Sequence, residues 1–201
     1  MSEPLEEQPP VEEDETPANE AAPDPAPEAA PEPDHAPGEL DIPDDYAVFE
    51  GSPNGGRRGV AVVVARFNGE ITSRLLESAL EALEHAGVDK DAITVVPVPG
   101  AFELPLAAMA FAKTRRYGCV VALGCVIRGE TPHFDYVAGE AASGLQLAAL
   151  ETGVPVAFGV LTVETADQAE ARVEKGAEAV RTALEMADLF QQLRTTAAAR
   201  S

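Results

Sequence analysis

Unbroken apolar runs and amphipathic stretches alternate along the chain from residue 59 onward. The unbroken runs are rich in valine, which is typical of strands that helices cover on both faces. They occupy residues 59–65, 93–98, 119–127 and 154–162. The stretches between them place apolar side chains at helical spacing, as Leu75, Ala79 and Leu83 show. They predict helices over residues 72–86, 103–116, 135–151 and 165 to about 193, the last interrupted only at Gly176.

This alternation indicates the fold class. Four strand–helix units joined by right-handed crossovers give parallel strands with helices on both faces. We therefore expect an α/β protein, a three-layer α/β/α sandwich around a four-stranded parallel sheet of the flavodoxin-like type. A shorter apolar stretch at residues 46–51 predicts an additional N-terminal edge strand, and residues 52–56 predict a turn.

Charge divides the chain of 201 residues into two parts. The net charge is −21, and residues 1–56 hold 17 of the 35 acidic residues, 12 of the 17 prolines and no lysine or arginine. Residues 1–45 also lack aromatic side chains, so they have too little apolar surface to offset the entropy cost of folding. We predict a disordered acidic tail over residues 1–45 and one α/β domain over residues 46–201.

Composition excludes several functional classes. A mildly acidic domain behind a strongly acidic tail lacks the basic surface of a nucleic-acid-binding protein. No apolar run reaches the roughly 18–20 residues of a membrane-spanning helix, and the N-terminus lacks the basic and apolar parts of a secretion signal. Cys119 and Cys125 have the spacing of neither a disulfide framework nor a metal knuckle. We therefore expect a cytoplasmic protein that binds neither nucleic acid nor membrane.

Polar, glycine and aromatic residues concentrate where the predicted strands end. Because ligands of parallel sheets bind at the carboxyl edge, these ends form a candidate site: residues 66–69, 99–103, 128–133 and 162–164. His133 follows a Gly-Glu-Thr-Pro loop and precedes a helix, so it is either a general acid–base or a polar residue that caps the helix. Residues 129–131 have the composition to hold an anion through backbone N–H groups and the threonine hydroxyl.

Several motifs in these loops occur in an order that is specific to a known family. They are Ala65-Arg-Phe-Asn68, Val98-Pro-Gly-Ala-Phe-Glu-Leu-Pro105, Leu123-Gly-Cys-Val-Ile-Arg-Gly-Glu-Thr131, His133-Phe-Asp-Tyr-Val137, Pro155-Val-Ala-Phe-Gly-Val-Leu-Thr162 and Ala183-Leu-Glu-Met186. In these motifs the chain resembles lumazine synthase, the penultimate enzyme of riboflavin biosynthesis, over roughly residues 47–193.

The resemblance implies a condensation of two small-molecule substrates, 5-amino-6-ribitylaminouracil and 3,4-dihydroxy-2-butanone 4-phosphate. The products are 6,7-dimethyl-8-ribityllumazine, phosphate and water, and the family uses neither a metal nor a redox cofactor. His133 would shuttle protons during imine formation, phosphate elimination and ring closure. Glu130 and Thr131 would meet the phosphate. Phe158 and Arg172 would enter from the neighbouring subunit, with the guanidinium of Arg172 on the phosphate.

The same resemblance assigns the uracil substrate to the other strand ends. Phe67 would stack on the pyrimidine ring, and Asn68 would help to hold the ribityl chain. The ribityl side would be completed by Ala101, Phe102 and Glu103, and the pyrimidine edge by Cys125, Val126 and Ile127.

Family resemblance also bears on assembly. Members form pentamers, and in some of them twelve pentamers enclose a hollow shell, so a homo-oligomer is implied and riboflavin synthase is suggested as a partner. This chain departs from the family between Arg172 and Gly176, where the usual Gly/Lys-rich linker is several residues shorter. The turn between the last two helices is therefore expected to be absent.

Two other functions fit the same architecture. A catalytically decayed shell or scaffold paralogue would have lost some of the principal site residues, yet all are present: Phe67, Glu103, Thr131, His133, Phe158 and Arg172. A flavin-binding module would not need His133 together with Arg172. We therefore favour the enzyme.

Deletion of residues 1–45 is expected to leave the melting temperature and turnover nearly unchanged, because the segment has almost nothing to bury. Its effect should appear in association, since acidic arms brought together repel one another until salt screens them. Light scattering across a salt series should show the full-length protein forming larger assemblies as salt rises, while the truncated form changes less. Equal responses would make the arm a bystander to assembly.

Overall fold

A computed structural model describes residues 40–56 and 58–199. Contacts within the chain divide it after Pro43, and the strands and helices described below lie in the unit that begins at Asp44. Four strands form one sheet in this unit: β1 (Val60–Ala65), β2 (Ile93–Val98), β3 (Cys119–Ile127) and β4 (Val156–Val163).

The sheet is parallel throughout, with its strands in the order β2-β1-β3-β4. Every residue of β1 is buried, and so are residues 119–126 of β3. A strand that is buried on both faces needs apolar side chains at every position, which is why these two strands read as unbroken apolar runs. The predicted four-stranded parallel sheet is confirmed.

Helices follow the strands in alternation and occupy both faces of the sheet. They are α1 (Gly69–His85), α2 (Leu104–Lys113), α3 (His133–Thr152), α4 (Ala166–Glu170) and α5 (Lys175–Ala199). Short 3₁₀ turns at Lys90–Ala92 and Ala101–Glu103 precede β2 and α2. No helix among the described residues is long and apolar enough to cross a membrane.

The two faces of the sheet belong to two separate hydrophobic clusters. Alternate residues of β1, such as Val62, pack in one cluster with Leu75 of α1 and Leu184 of α5. The residues between them, such as Val63, pack in the other cluster with Leu104 of α2 and with side chains of α3. This period of two is the geometry of a pleated strand between two helical layers. It confirms the α/β/α sandwich.

Residues 46–51, where an edge strand is expected, are not among the four strands of this sheet. In the single chain this segment and the residues after it are bound by side chains of α5. The Ser52 N–H donates to Asp188 Oδ2 at 3.1 Å, and Gln192 Nε2 donates to the Glu50 carbonyl at 2.8 Å. Arg58 forms an ion pair of 2.6 Å with the same aspartate. Gln192 Nε2 also donates to Asp188 Oδ2 at 2.9 Å. The hydrogen bonds from Gln192, Ser52 and Arg58 together lower the pKa of Asp188.

The last helical region has a break that the sequence interpretation placed wrongly. Instead of one helix interrupted at Gly176, α4 ends at Glu170 and residues 171–174 form a turn before α5. Bonds between residues three apart close this turn, from the Arg172 N–H to the Ala169 carbonyl and from the Lys175 N–H to the Arg172 carbonyl. The turn that the short linker was expected to remove is therefore present.

Gly176 lies inside the first turn of α5 and does not interrupt the helix. Its role is in the packing of α5 on α1. A Cβ at this position would collide with the Leu75 carbonyl oxygen and lie 3.2 Å from the Ala79 nitrogen. The missing side chain is what lets the two backbones approach so closely.

Gly176→Ala should therefore destabilise the protein by about 1–3 kcal/mol, the usual range for overpacking. Gly139→Ala in α3 is the matched control, because nothing lies within 4 Å of its added Cβ, and there the better helix propensity of alanine should raise stability by up to about 1 kcal/mol. Thermal melting of both variants checks the opposite signs. A stabilised Gly176→Ala variant would contradict the close approach.

Candidate active site

A cavity of about 590 Å³ lies at the carboxyl edge of the sheet, beside the first turns of α3. Its walls come from the segments that follow β1 and β2, from the end of β3 and from the loop before α3. Ten of the predicted site residues line it: Phe67, Asn68, Ala101, Phe102, Glu103, Cys125, Val126, Ile127, Thr131 and His133. The strand ends that the sequence marked as a candidate site therefore meet around one cavity.

Three aromatic rings at the cavity are unusually exposed for apolar side chains. Phe67 is 71% exposed, Phe102 is 57% exposed and Tyr136 is 70% exposed. Rings that are left in contact with solvent at a cavity offer flat apolar faces on which a ligand ring or a further protein surface can stack.

Asn68 fixes the turn between β1 and α1. It adopts the left-handed backbone conformation, with φ 58° and ψ 45°, which asparagine tolerates better than most residues. Its Nδ2 donates to the Cys125 carbonyl oxygen at 2.9 Å. This bond ties the end of β1 to the end of β3, so Asn68 joins two walls of the cavity within a single chain.

Cys125 lines the cavity and is buried, with its side chain in the hydrophobic cluster that contains Val62 and Leu75. Burial raises the pKa of Cys125 to about 11, and burial outweighs the charge of Arg58 to raise the pKa of Cys119 to about 12. A thiol with so high a pKa is protonated at neutral pH and is a poor nucleophile. Within the described residues, no three His, Cys, Asp or Glu side chains come together in a group that would hold a metal ion.

The loop of residues 129–132 leads into α3, whose first residue is His133. The first N–H groups of a helix have no carbonyl partner inside the helix and carry partial positive charge, so an anion is stabilised beside them. Thr131 and His133 are both exposed and both line the cavity. One corner of the cavity thus combines an anion-binding helix start with a hydroxyl and an imidazole.

Arg128, the first residue after β3, contacts the end of β4 and the first turn of α3 beside this corner. Its Nε lies 3.0 Å from the Glu164 carboxylate after β4, and its two Nη atoms lie 3.1 and 3.3 Å from the Asp135 carboxylate in α3. Its Cζ lies 4.1 Å from the centroid of the Phe134 ring. The hydrogen bonds that Arg128 donates to Asp135 and then to Glu164 are the main causes of its raised pKa.

Comparison with known proteins identifies the family of this chain. The family model of 6,7-dimethyl-8-ribityllumazine synthase matches residues 58–191. The chain belongs to this family. The curated 6,7-dimethyl-8-ribityllumazine synthases of Yersinia pestis (strain Pestoides F) and Yersinia pseudotuberculosis (serotype O:1b, strain IP 31758) are each 54% identical to it over 141 residues. That alignment covers 67% of this chain and 90% of each relative.

Family membership confirms the predicted resemblance and the transferase activity in riboflavin biosynthesis. The alternative of a decayed shell or scaffold paralogue has no support among these relatives.

Three residues that the family resemblance assigned to the site do not line this cavity: Glu130, Phe158 and Arg172. Glu130 is exposed in the loop before α3. Phe158, 45% exposed, pairs with Ala122 in β3, well before the strand end that forms the cavity floor. Arg172 lies in the turn after α4, where its Nη1 donates to the Gln168 carbonyl at 2.9 Å. Neither Phe158 nor Arg172 lines the cavity of its own chain.

Five further residues line the cavity without a role of their own in the sequence interpretation. Gly100 and Gly129 lie inside the predicted strand-end segments 99–103 and 128–133, whereas Phe134, Tyr136 and Val137 lie beyond them. The sequence did carry a signal for two of them. Tyr136 and Val137 follow His133 by three and four positions, and this spacing places side chains on one face of a helix.

The role of Asn68 can be tested by separating its conformation from its hydrogen bond. Asn68→Gly keeps the left-handed backbone but loses the bond to Cys125, at a cost of about 0.5–1.5 kcal/mol. Asn68→Ala loses the bond as well and must bear the left-handed backbone, which adds about 1–2 kcal/mol. Urea unfolding should therefore rank the wild type above Asn68→Gly and Asn68→Gly above Asn68→Ala. Equal stability of the two variants would show that the turn relaxes at no cost.

Proposed function

We propose that this cavity is where the chain condenses 5-amino-6-ribitylaminouracil with 3,4-dihydroxy-2-butanone 4-phosphate to give 6,7-dimethyl-8-ribityllumazine, phosphate and water. The observation that carries the proposal is the convergence of Phe67, Glu103 and His133 on one cavity from three separate strand ends. Much of the acceleration then comes from holding two substrates in reacting geometry, which removes the entropy cost of bringing them together.

The uracil substrate is assigned to the side of the cavity formed by the ends of β1 and β2. The exposed ring of Phe67 stacks on the pyrimidine, and the buried end of β3, at Cys125, meets its edge. The ribityl chain lies along Ala101 and Phe102, where the Glu103 carboxylate accepts hydrogen bonds from its hydroxyl groups. Val126 and Ile127 complete the apolar contact with the pyrimidine: both line the cavity.

His133 is assigned the proton transfers. Imine formation, phosphate elimination and ring closure each add or remove a proton, and imidazole ordinarily titrates near neutral pH. The exposed position of His133 at the start of α3 leaves it accessible to both substrates in the cavity.

The phosphate group is assigned to the start of α3. Backbone N–H groups of the loop, at Glu130 and Thr131, and the Thr131 hydroxyl face the substrate there, while the Glu130 side chain stays outside the cavity. The described residues that line the cavity include an acidic side chain, Glu103, but no lysine or arginine. A phosphate dianion in this cavity therefore needs a cation from elsewhere, and we assign this role to Arg172 of a neighbouring subunit, which brings Phe158 with it.

An oligomer follows from this assignment, and oligomeric assembly is a property of the family. We propose a homopentamer. Apolar side chains exposed around a second cavity of about 270 Å³ between α3, β4 and α5 support it, among them Leu150 and Met186. The edge strand predicted at residues 46–51 belongs to the same proposal, as a strand paired with the sheet of another subunit. We further propose that twelve pentamers enclose a shell, that riboflavin synthase is a partner and that the protein acts in the cytoplasm. The predicted acidic tail over residues 1–45 falls for its first 39 residues outside the part of the chain that the structure describes.

His133→Ala should lower kcat by about 100- to 1000-fold, within the range that one general acid–base group contributes, with the fold unchanged. His85→Ala is the matched control, because this exposed histidine of α1 bonds only the Glu81 carbonyl among the contacts described for it. Lumazine formation followed by fluorescence gives both rates. A His133→Ala variant as fast as the control would remove His133 from the mechanism.

Mixed oligomers test whether neighbouring subunits share a site. Arg172→Ala alone should raise the KM for the butanone phosphate far more than the KM for the uracil. When His133→Ala and Arg172→Ala subunits are mixed equally, about a quarter of the sites combine an intact His133 with an intact Arg172 from the neighbour, if subunits assemble at random. Activity should therefore reappear in verified mixed oligomers. No recovery would mean that each site is built within one chain.

A further inference from the structure

We propose that Arg128 is a positioning residue, which holds the first turn of α3 and with it His133 and the loop of residues 129–132. It does so through Asp135 and Phe134. The inference rests on the roles proposed above for His133 and Thr131. Arg128 itself is not among the residues that line the cavity, so it acts through its neighbours and not on the substrates.

The contacts of Arg128 span the three elements that meet at this corner. Its backbone N–H extends the sheet by donating to the Val163 carbonyl at 2.9 Å. Its side chain then joins Glu164, which follows β4, to Asp135 in the first turn of α3. The guanidinium also covers the ring of Phe134, the residue that follows His133 and lines the cavity. The two residues after His133 are thus held by one side chain.

This arrangement depends on the shape of the guanidinium as well as on its charge. Its planar fork directs one edge to Glu164 and the other to Asp135, whereas a lysine ammonium is a compact charge that lacks this fixed geometry. Arg128→Lys therefore retains the positive charge and the backbone bond to Val163 and loses the bridge. The variant separates geometry from charge.

The exposure of these ion pairs indicates that their main effect is on geometry and not on folding. The Arg128, Asp135 and Glu164 side chains are 38%, 60% and 59% exposed in the two pairs. Exposed ion pairs contribute little to stability because water already solvates the separated charges. A small displacement of a catalytic group, in contrast, is costly to the rate, by up to about 100-fold for 1 Å.

The test compares Arg128→Lys with Arg74→Lys in the full-length protein. Arg74 is the matched control, because it also forms an exposed ion pair, 3.7 Å from Glu170, and does not line the cavity. We expect Arg128→Lys to lower kcat by about 10-fold, well within the effect of a misplaced catalytic group, and to raise the KM for the butanone phosphate. The KM for the uracil and the melting temperature should match the control.

A double-mutant cycle with Asp135→Asn shows whether Arg128 acts through the first turn of α3. If it does, the double variant should be about as slow as either single variant, because coupled residues do not contribute additively. Three results would each overturn the proposal. They are additive losses in kcat, a wild-type kcat for Arg128→Lys, and a loss of kcat that a lower melting temperature explains.

His133→Ala measured alongside separates the two levels of inference. A normal rate for His133→Ala refutes the proposed mechanism itself. A slow His133→Ala beside a normal Arg128→Lys refutes only the role given to Arg128.

Discussion

The parallel pairing of β1 with β2 and β3 is the constraint on which the rest of the molecule depends. Residue by residue, Val62 lies beside Val95 on one side and beside Val121 on the other, so the three strands run in step. Parallel strands in step must end at the same edge. The loops after them therefore meet, although long stretches of sequence separate them. Burial of β1 on both faces makes this register hard to change, because a slip by one residue would turn every side chain to the opposite face, into a close-packed layer shaped for a different side chain.

Burial of strands inside the sheet explains which parts of the fold the sequence could predict. Strand β3 begins and ends where its apolar run does, because a strand covered on both faces has no polar positions that blur its limits. Edge strand β2 also matches its predicted bounds, although Val98 is the only buried residue among its six. Helix α1 begins three residues earlier than expected, at Gly69. Its start is set by the backbone of Asn68 and by a bond to residue 125, and a local pattern contains neither.

The break between α4 and α5 could not be found from local signals for a related reason. The turn at residues 171–174 contains neither glycine nor proline, while the one glycine nearby, Gly176, lies inside the first turn of α5. That glycine reports a tertiary contact, since its place is taken by the Leu75 carbonyl of α1. Helix propensity alone predicts that a glycine ends a helix, whereas this glycine lies inside one because α1 packs against it.

The sequence could predict the residues of the candidate site that face the cavity directly. It could not predict the side-chain bonds between distant residues that hold the walls of the cavity together. Phe67, Glu103 and His133, which the family motifs assigned to the site, line one cavity. The bridge from Arg128 to Glu164 joins residues 36 positions apart, and the bond from Asn68 to Cys125 joins residues 57 positions apart. Such pairs depend on which strand ends are neighbours in the sheet, which a single sequence does not state.

The charges at the cavity are the physical reason for proposing that a neighbouring subunit completes the site. The cavity holds a carboxylate at Glu103 and no lysine or arginine among its described lining residues, while Arg128, the cation at its corner, is committed to two carboxylates. A phosphate leaving group placed at the start of α3 would meet helix N–H groups and a hydroxyl, but no uncommitted cation among those lining residues. The partial charge of a helix start is weaker than a full charge and is screened within one turn. The proposed Arg172 of a neighbouring subunit would supply this missing charge, and the reaction would then depend on assembly.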